Sequence, residues 1–226
     1  MKDIQQAIRN TYDWLFERVN LTRYKIRFAK LARKVDGKQR RYLETQFQRT
    51  RYRAMHGDLK LRTRLLVDQL ATMKLLESAP AVLCIGCRNS KEIDYITHHG
   101  ACKVVGIDVI SVRPDIKIMD MHAMTFGDHV FDIVYACHSL EHALDPEKVG
   151  REIMRVLKPG GVLAVEVPVC YAVGGVDLVD FGDKEGLRVR LGLSQVDVLW
   201  AEEQPPRSER NAEGNAIIRV IWRVGG

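Results

Sequence analysis

A chain of 226 residues, 46% apolar and 28% charged, can bury one full core and carry an appendage; this composition excludes the disordered class. No apolar run is long enough to span a bilayer as a helix, and the polar opening Met1-Lys2-Asp3 does not read as a secretory signal. The net charge of +6 is unevenly spread: residues 1–80 hold 19 Lys and Arg against 8 Asp and Glu, net +11, and the remainder carries −5.

Residues 1–78 read as a basic helical region, with no proline and only Gly37 and Gly57 dividing it into three pieces. Ile4, Ile8, Leu15, Val19 and Ile26 give the first piece an apolar face. Leu61, Leu65, Leu66, Leu70, Met73 and Leu76 do the same for the third, Leu59 to Glu77. This region has several readings: a helical cap over a site, a homodimerisation arm, or a nucleic-acid surface on which Arg40-Arg41-Tyr42 and Arg49-Thr50-Arg51-Tyr52-Arg53 mix cations with aromatics. Peripheral attachment to an anionic membrane, helped by Trp14 and Phe16, is another.

After Ser78-Ala79-Pro80 the pattern changes, and residues 79–226 read as a second domain. Ala81 to Ile85 is a short apolar run, the pattern of a strand buried on both faces. Gly86-Cys87-Arg88 makes a turn, Asn89 caps a helix with Glu92 at its capping-box position, and Gly100 stops it. Lys103 to Asp108, Ile116 to Ile118 and Phe131 to Ala136 are the next strands. Asp145 caps a further helix, Pro146 opens it and Lys158-Pro159-Gly160-Gly161 ends it. Val162 to Val167 is a fifth strand. Val196 to Trp200 and Ala216 to Val224 read as an antiparallel pair, because the loop between them is too short and polar for a crossover helix. Strands alternating with helices argue for a parallel sheet covered on both faces.

Ligands of such a sheet sit beyond the carboxyl ends of its strands. The Gly86 turn therefore faces the same ligand as Asp108, 22 residues later, a spacing that suits a carboxylate gripping the ribose of an adenosine-type cofactor. Five cysteines (84, 87, 102, 137 and 170) form no disulfide framework and fit a reducing cytoplasm. Cys84, Cys87, His98, His99 and Cys102 can be arranged on paper as a zinc set. With one Cys-x2-Cys pair only, they read as packing thiols, and no metal is expected.

Val82-Leu83-Cys84-Ile85-Gly86-Cys87, Gly106-Ile107-Asp108, the stretch Phe131 to His142, and Arg155-Val156-Leu157-Lys158-Pro159-Gly160-Gly161 together resemble the motifs of class I S-adenosylmethionine-dependent methyltransferases, in the branch that methylates small molecules, sugars and lipids. The resemblance runs from residue 81 to about 168. It implies a Rossmann-like seven-stranded, mostly parallel sheet with an antiparallel last strand, and S-adenosylmethionine as cofactor. It places Ile85, Gly86, Cys87 and Arg88 near the methionine part, Asp108 and Val109 at the ribose, Asp120, Met121 and His122 near the adenine, and Cys137 and His138 under the sulfonium. His138 and His142 are the candidate bases. Cys84 stands where the family has an acid, and Arg88 and Ser90 replace later glycines of the loop; Glu92 is the candidate substitute anion. The expected activity is O-methylation of a sugar, glycan precursor or other small acceptor, with the segment Tyr171 to Leu193 lining its pocket. An RNA methyltransferase using the basic helices and a non-catalytic cofactor-binding or interaction domain stand beside it. The expected location is cytoplasmic, with or without peripheral membrane attachment.

Overall fold

A computed structural model describes residues 61–87, 90–101, 103–109, 111, 113, 115–174, 177–204 and 216–225, with isolated positions (22, 29, 37, 40, 43–45 and 59) before them. The first two basic helical pieces, most of their Arg-Tyr clusters, Arg88, the Asn89 cap and Cys102 lie outside the described residues.

The elements in chain order are α1 (Leu61–Thr72), β1 (Ala81–Ile85), α2 (Ser90–His98), β2 (Lys103–Asp108), β3 (Ile116–Ile118), β4 (Phe131–Cys137), a 3-10 turn (Leu140–His142), α3 (Pro146–Val156), β5 (Leu157–Val169), α4 (Lys184–Arg190), β6 (Val196–Gln204) and β7 (Ala216–Val224). They build one seven-stranded sheet in the order β3-β2-β1-β4-β5-β7-β6. Strands β1 to β5 pair in parallel, and β7 is inserted antiparallel to both β5 and β6. This is the Rossmann-like architecture expected from the motifs.

The unbroken apolar strands follow from burial on both faces. On one face, Leu83, Val134, Leu163 and Val165 pack with Val149, Ile153 and Val156 of α3 and Leu187 of α4. On the other, Val82, Cys84, Tyr135 and Ala164 pack with Leu66, Val67 and Leu70 of α1 and Ile96 of α2. Of the apolar stripe read on the third helical piece, Leu66 and Leu70 face the sheet from α1 beside Val67, whereas Leu61 and Leu65 are exposed and Met73 and Leu76 lie beyond the helix. That helix closes at Thr72, and residues 73–78 turn toward β1.

Helix α3 begins as its sequence requires: the Asp145 side chain accepts from the Lys148 amide at 2.9 Å and Pro146 occupies the first turn. It ends one step before Lys158-Pro159-Gly160-Gly161, because Leu157 already pairs with Phe131 as the first residue of β5. Lys158 then reaches Asp132 at 2.8 Å, and the other oxygen of Asp132 accepts from the Ala81 amide, fastening the entrances of β1, β4 and β5. Arg155 caps the carbonyls of Met124 and Phe126 and pairs with Glu152 and Asp128. Among the described residues, no helix is long and apolar enough to cross a membrane.

Candidate active site

The sheet order reverses between β1 and β4, so the crevice lies where their carboxyl ends diverge. Gly86 turns the chain there with φ +75, and both its amide and that of Cys87 donate to the Ile107 carbonyl. This bonding holds the turn one residue from Asp108, which is half-buried at the end of β2 beside Val109. A β-carbon at position 86 would collide with that of Ser139, so the turns after β1 and β4 touch through the glycine. The buried Ser139 hydroxyl beside it has no hydrogen-bond partner among the described residues.

Ile85 is buried in the core, and Met121 packs against that core from the loop after β3. Asp120 turns its carboxylate onto His122, whose Nδ1 lies 2.6 Å away. The other ring nitrogen accepts from the amides of Leu144 and Asp145, so Nδ1 carries the proton and the imidazole is neutral. Both nitrogens of His122 are therefore committed to the protein. They anchor the Asp120 loop to the start of α3. Burial opposes ionisation of Asp120, but the hydrogen bonds from His122 prevail and hold its carboxyl below the usual range.

A polar row crosses the sheet at the same level. Cys137, Glu166, Arg219 and Glu202 are in register on β4, β5, β7 and β6, so their side chains share one face. His138 joins this row because its backbone is left-handed, φ +51, which folds the ring back onto Glu166. His138 Nε2 lies 2.9 Å from Glu166 Oε1, and Arg219 grips the second carboxylate oxygen and reaches Glu202 at 2.8 Å. Burial opposes the charge of Glu166, but His138 and Arg219 outweigh it and keep the carboxyl ionised below its ordinary value. Glu141, also buried, places an oxygen 3.6 Å from His138 Nδ1 and 4.0 Å from His142 Nε2. His142 faces Asp177 at 3.2 Å, and the amides of Leu178 and Val179 donate to the Glu141 carbonyl. Part of the segment expected to line an acceptor pocket is thereby docked against Glu141 and His142.

The N-terminal end of α1 covers the same face. Thr63 donates to Glu92 at 3.2 Å, lies 3.9 Å from the Cys137 sulfur, and accepts through its carbonyl from the Tyr135 hydroxyl. Glu92 in turn stands 3.9 Å from the Cys84 sulfur. The bond between Cys84 and Cys87, together with burial, pushes the Cys84 thiol well up. That bond favours the Cys87 thiolate, but burial and the charge of Glu92 win and raise this thiol as well.

The structure thus brings Gly86, Cys87 and Asp108 together, and separately groups Cys137 and His138 with Glu166. Glu141, Glu166, Asp177, Thr63 and Arg219 were not singled out from sequence. For one of them a signal existed: Glu166 is the lone acid in an apolar strand, which calls for a buried partner, whereas Arg219 shares its strand with Arg223 and does not stand out.

Residues 83–165 match the family model described as a methyltransferase domain. Over that segment the chain is similar to methyltransferase domains. A sterol 24-C-methyltransferase of Aspergillus fumigatus is 44% identical over 78 residues, which is 34% of this chain and 19% of that protein. A 27-O-demethylrifamycin SV methyltransferase of Amycolatopsis mediterranei is 30% identical over 116 residues, covering 44% of this chain and 43% of that one. The chain thus spans less than half the length of these curated relatives. The fold is similar to that of a Burkholderia thailandensis 1,6-didemethyltoxoflavin-N1-methyltransferase, solved with its acceptor and S-adenosylhomocysteine. The TM-score is 0.64 at 15% identity, over 82% of this chain and 89% of that one. Cys84, within β1, and Ser90, the first residue of α2, both lie inside the matched segment.

Proposed function

We propose that the chain is an S-adenosylmethionine-dependent methyltransferase that acts on a small-molecule acceptor. The observation that carries this reading is the junction of the Gly86 turn, Asp108 and the partnerless Ser139 hydroxyl at the switch point of a methyltransferase domain. The residues fit such a cofactor. Gly86 lets the turns after β1 and β4 close on one another, Ser139 offers an unused hydroxyl, and Asp108, at the end of β2, is the carboxylate for the ribose hydroxyls. Ile85, Cys87 and Val109 flank this contact, and Asp120 with Met121 borders the adenine edge. Glu92 supplies a carboxylate for the amino group of the methionine part, in place of the acid that Cys84 has replaced.

When bound, the cofactor supplies an electrophilic methyl group on its sulfonium. The protein's part is alignment, water exclusion and removal of a proton. With Nε2 engaged by Glu166, His138 has Nδ1, which lies 3.6 Å from Glu141 Oε1, to accept the proton of an acceptor hydroxyl, and the Glu166 and Glu141 carboxylates stabilise the resulting imidazolium. His142, paired with Asp177, positions the acceptor-side segment. The acceptors in the relatives' names, a sterol and a rifamycin, support the small-molecule class without favouring the sugar or glycan oxygen expected from sequence.

The +11 charge of residues 1–80 favours a second reading, with RNA as acceptor held by the basic region. Incubating the full chain with methyl-labelled S-adenosylmethionine, a small-molecule extract and total RNA separates the two. The proposal expects label in the small-molecule fraction. Label confined to RNA would replace it with the second reading, and label in neither would leave a cofactor-binding domain without transfer.

A further inference from the structure

The first strand, its turn and the start of α2 bring together two thiols and a carboxylate. Cys84 at the end of β1, Cys87 after the turn and Glu92 one turn into α2 place their ligand atoms within 4.8 Å of one another. Both cysteines are fully buried, whereas Glu92 is half-buried. A zinc ion holds thiolates at about 2.3 Å, so tetrahedral ligands stand about 3.8 Å apart. Cys84 and Glu92 are already 3.9 Å apart. Two sulfurs and one carboxylate suit a borderline-soft divalent ion and disfavour magnesium or calcium, which take oxygen ligands. The surroundings are also suited. Thr63 bonds the far oxygen of Glu92, fixing that carboxylate from behind, and sits against the Cys137 sulfur, a candidate fourth ligand that the domain carries on β4.

We propose that Cys84, Cys87 and Glu92 form a binding site for a thiophilic divalent metal ion of the zinc class. On binding, two metal–sulfur bonds form and the two thiol protons pass to solvent, and the carboxylate contributes an oxygen; the fourth position falls to a water, or to Cys137 with a third metal–sulfur bond and the release of a third proton. No electron transfer is involved. The ion clips the carboxyl end of β1 to the first turn of α2, bridging the loop in which the family glycines are replaced. Because Glu92 is also the carboxylate proposed above for the cofactor's amino group, metal and cofactor compete. That consequence rests on the proposed function, whereas metal binding itself does not.

The test is titration of the reduced full-length chain, without cofactor, with Co2+ as a spectroscopic probe and then with Zn2+. A single equivalent of Co2+ should produce thiolate-to-metal charge-transfer absorption and a tetrahedral visible band, both displaced by Zn2+. Cys84→Ser and Cys87→Ser should each abolish the charge-transfer band, and Cys170→Ser, at an exposed position, should leave it intact. Glu92→Gln, which leaves the buried cysteines in place, should weaken binding about tenfold or more. No charge-transfer band, or one that persists in the Cys84 and Cys87 variants, would overturn the proposal. Titration of S-adenosylhomocysteine into the metal-free chain reports on the cofactor reading separately, so failure of one is distinguishable from failure of the other.

Discussion

Glu166 holds two partners at once: one oxygen accepts from His138 Nε2 at 2.9 Å and the other is bound by the Arg219 guanidinium. Both Glu166 and Arg219 are almost wholly buried, so neither can lose its partner cheaply. Arg219→Met should therefore cost about 3–5 kcal/mol of stability, because a buried carboxylate loses its principal charge partner. Urea unfolding measures it. A cost below about 1 kcal/mol would show that His138 alone satisfies Glu166.

Glu166→Gln tests the same contact from the catalytic side. His138 loses its anionic support but keeps a hydrogen-bonding neighbour, so turnover should fall about 100-fold while cofactor affinity stays constant. Unchanged turnover in the folded variant would reduce Glu166 to a structural role.

Asp108→Ala should leave the fold intact, because the side chain is half-buried at a strand end rather than in the core. The loss of a charged hydrogen-bonding partner should weaken S-adenosylhomocysteine by about 10–100-fold. Unchanged affinity with an unchanged melting curve would remove Asp108 from the site.

Two glycines separate packing from binding. At Gly86 the backbone is left-handed and an added methyl meets Ser139, so Gly86→Ala should lose about 1–2 kcal/mol from the backbone strain alone and impair cofactor binding. At Gly150, in the middle of α3, an added methyl meets the Leu191 carbonyl. Gly150→Ala should destabilise by about 1–3 kcal/mol while leaving ligand affinity unaffected in the folded fraction.

Acid should unfold the chain through a small set of carboxylates. Burial opposes the charge of Glu166, Asp120 and Asp132, yet hydrogen bonds and cations hold all three below their ordinary values. Glu152 is lowered first by its bond from Arg155. A depressed carboxyl stabilises the fold above its unfolded value, and this contribution is lost as pH falls through the folded one. The melting temperature should thus fall once the pH drops below the ordinary glutamate value of 4.5. Asp132→Asn should flatten part of that decline, whereas a melting temperature rising toward low pH would reverse the sign of the account.

The strands, their order of appearance and the junction of Gly86 with Asp108 were legible because apolar runs, caps and turn residues are local signals. Lys158-Pro159-Gly160-Gly161 was read as a helix stop; in the structure it also secures Asp132 and the entrance to β1, a relationship between strands that sequence spacing does not encode. The Glu166–Arg219 pair spans 53 positions and depends on β7 inserting beside β5, so no local pattern announced it. His138 was a candidate from its motif, but its partner was not, because the left-handed turn that aims the ring is a property of the folded backbone. Helix α4, inside the segment read only as an acceptor-side loop, is a short seven-residue element capped by Asp183, too brief for its periodicity to stand out.

Calorimetric titration of the purified full-length chain with S-adenosylhomocysteine, in parallel with the Asp108→Ala variant, tests the central claim most directly. The account predicts saturable binding by the parent chain and a loss of about 10–100-fold in the variant. Absence of binding to the well-folded parent chain, with and without S-adenosylmethionine as the alternative ligand, would contradict it.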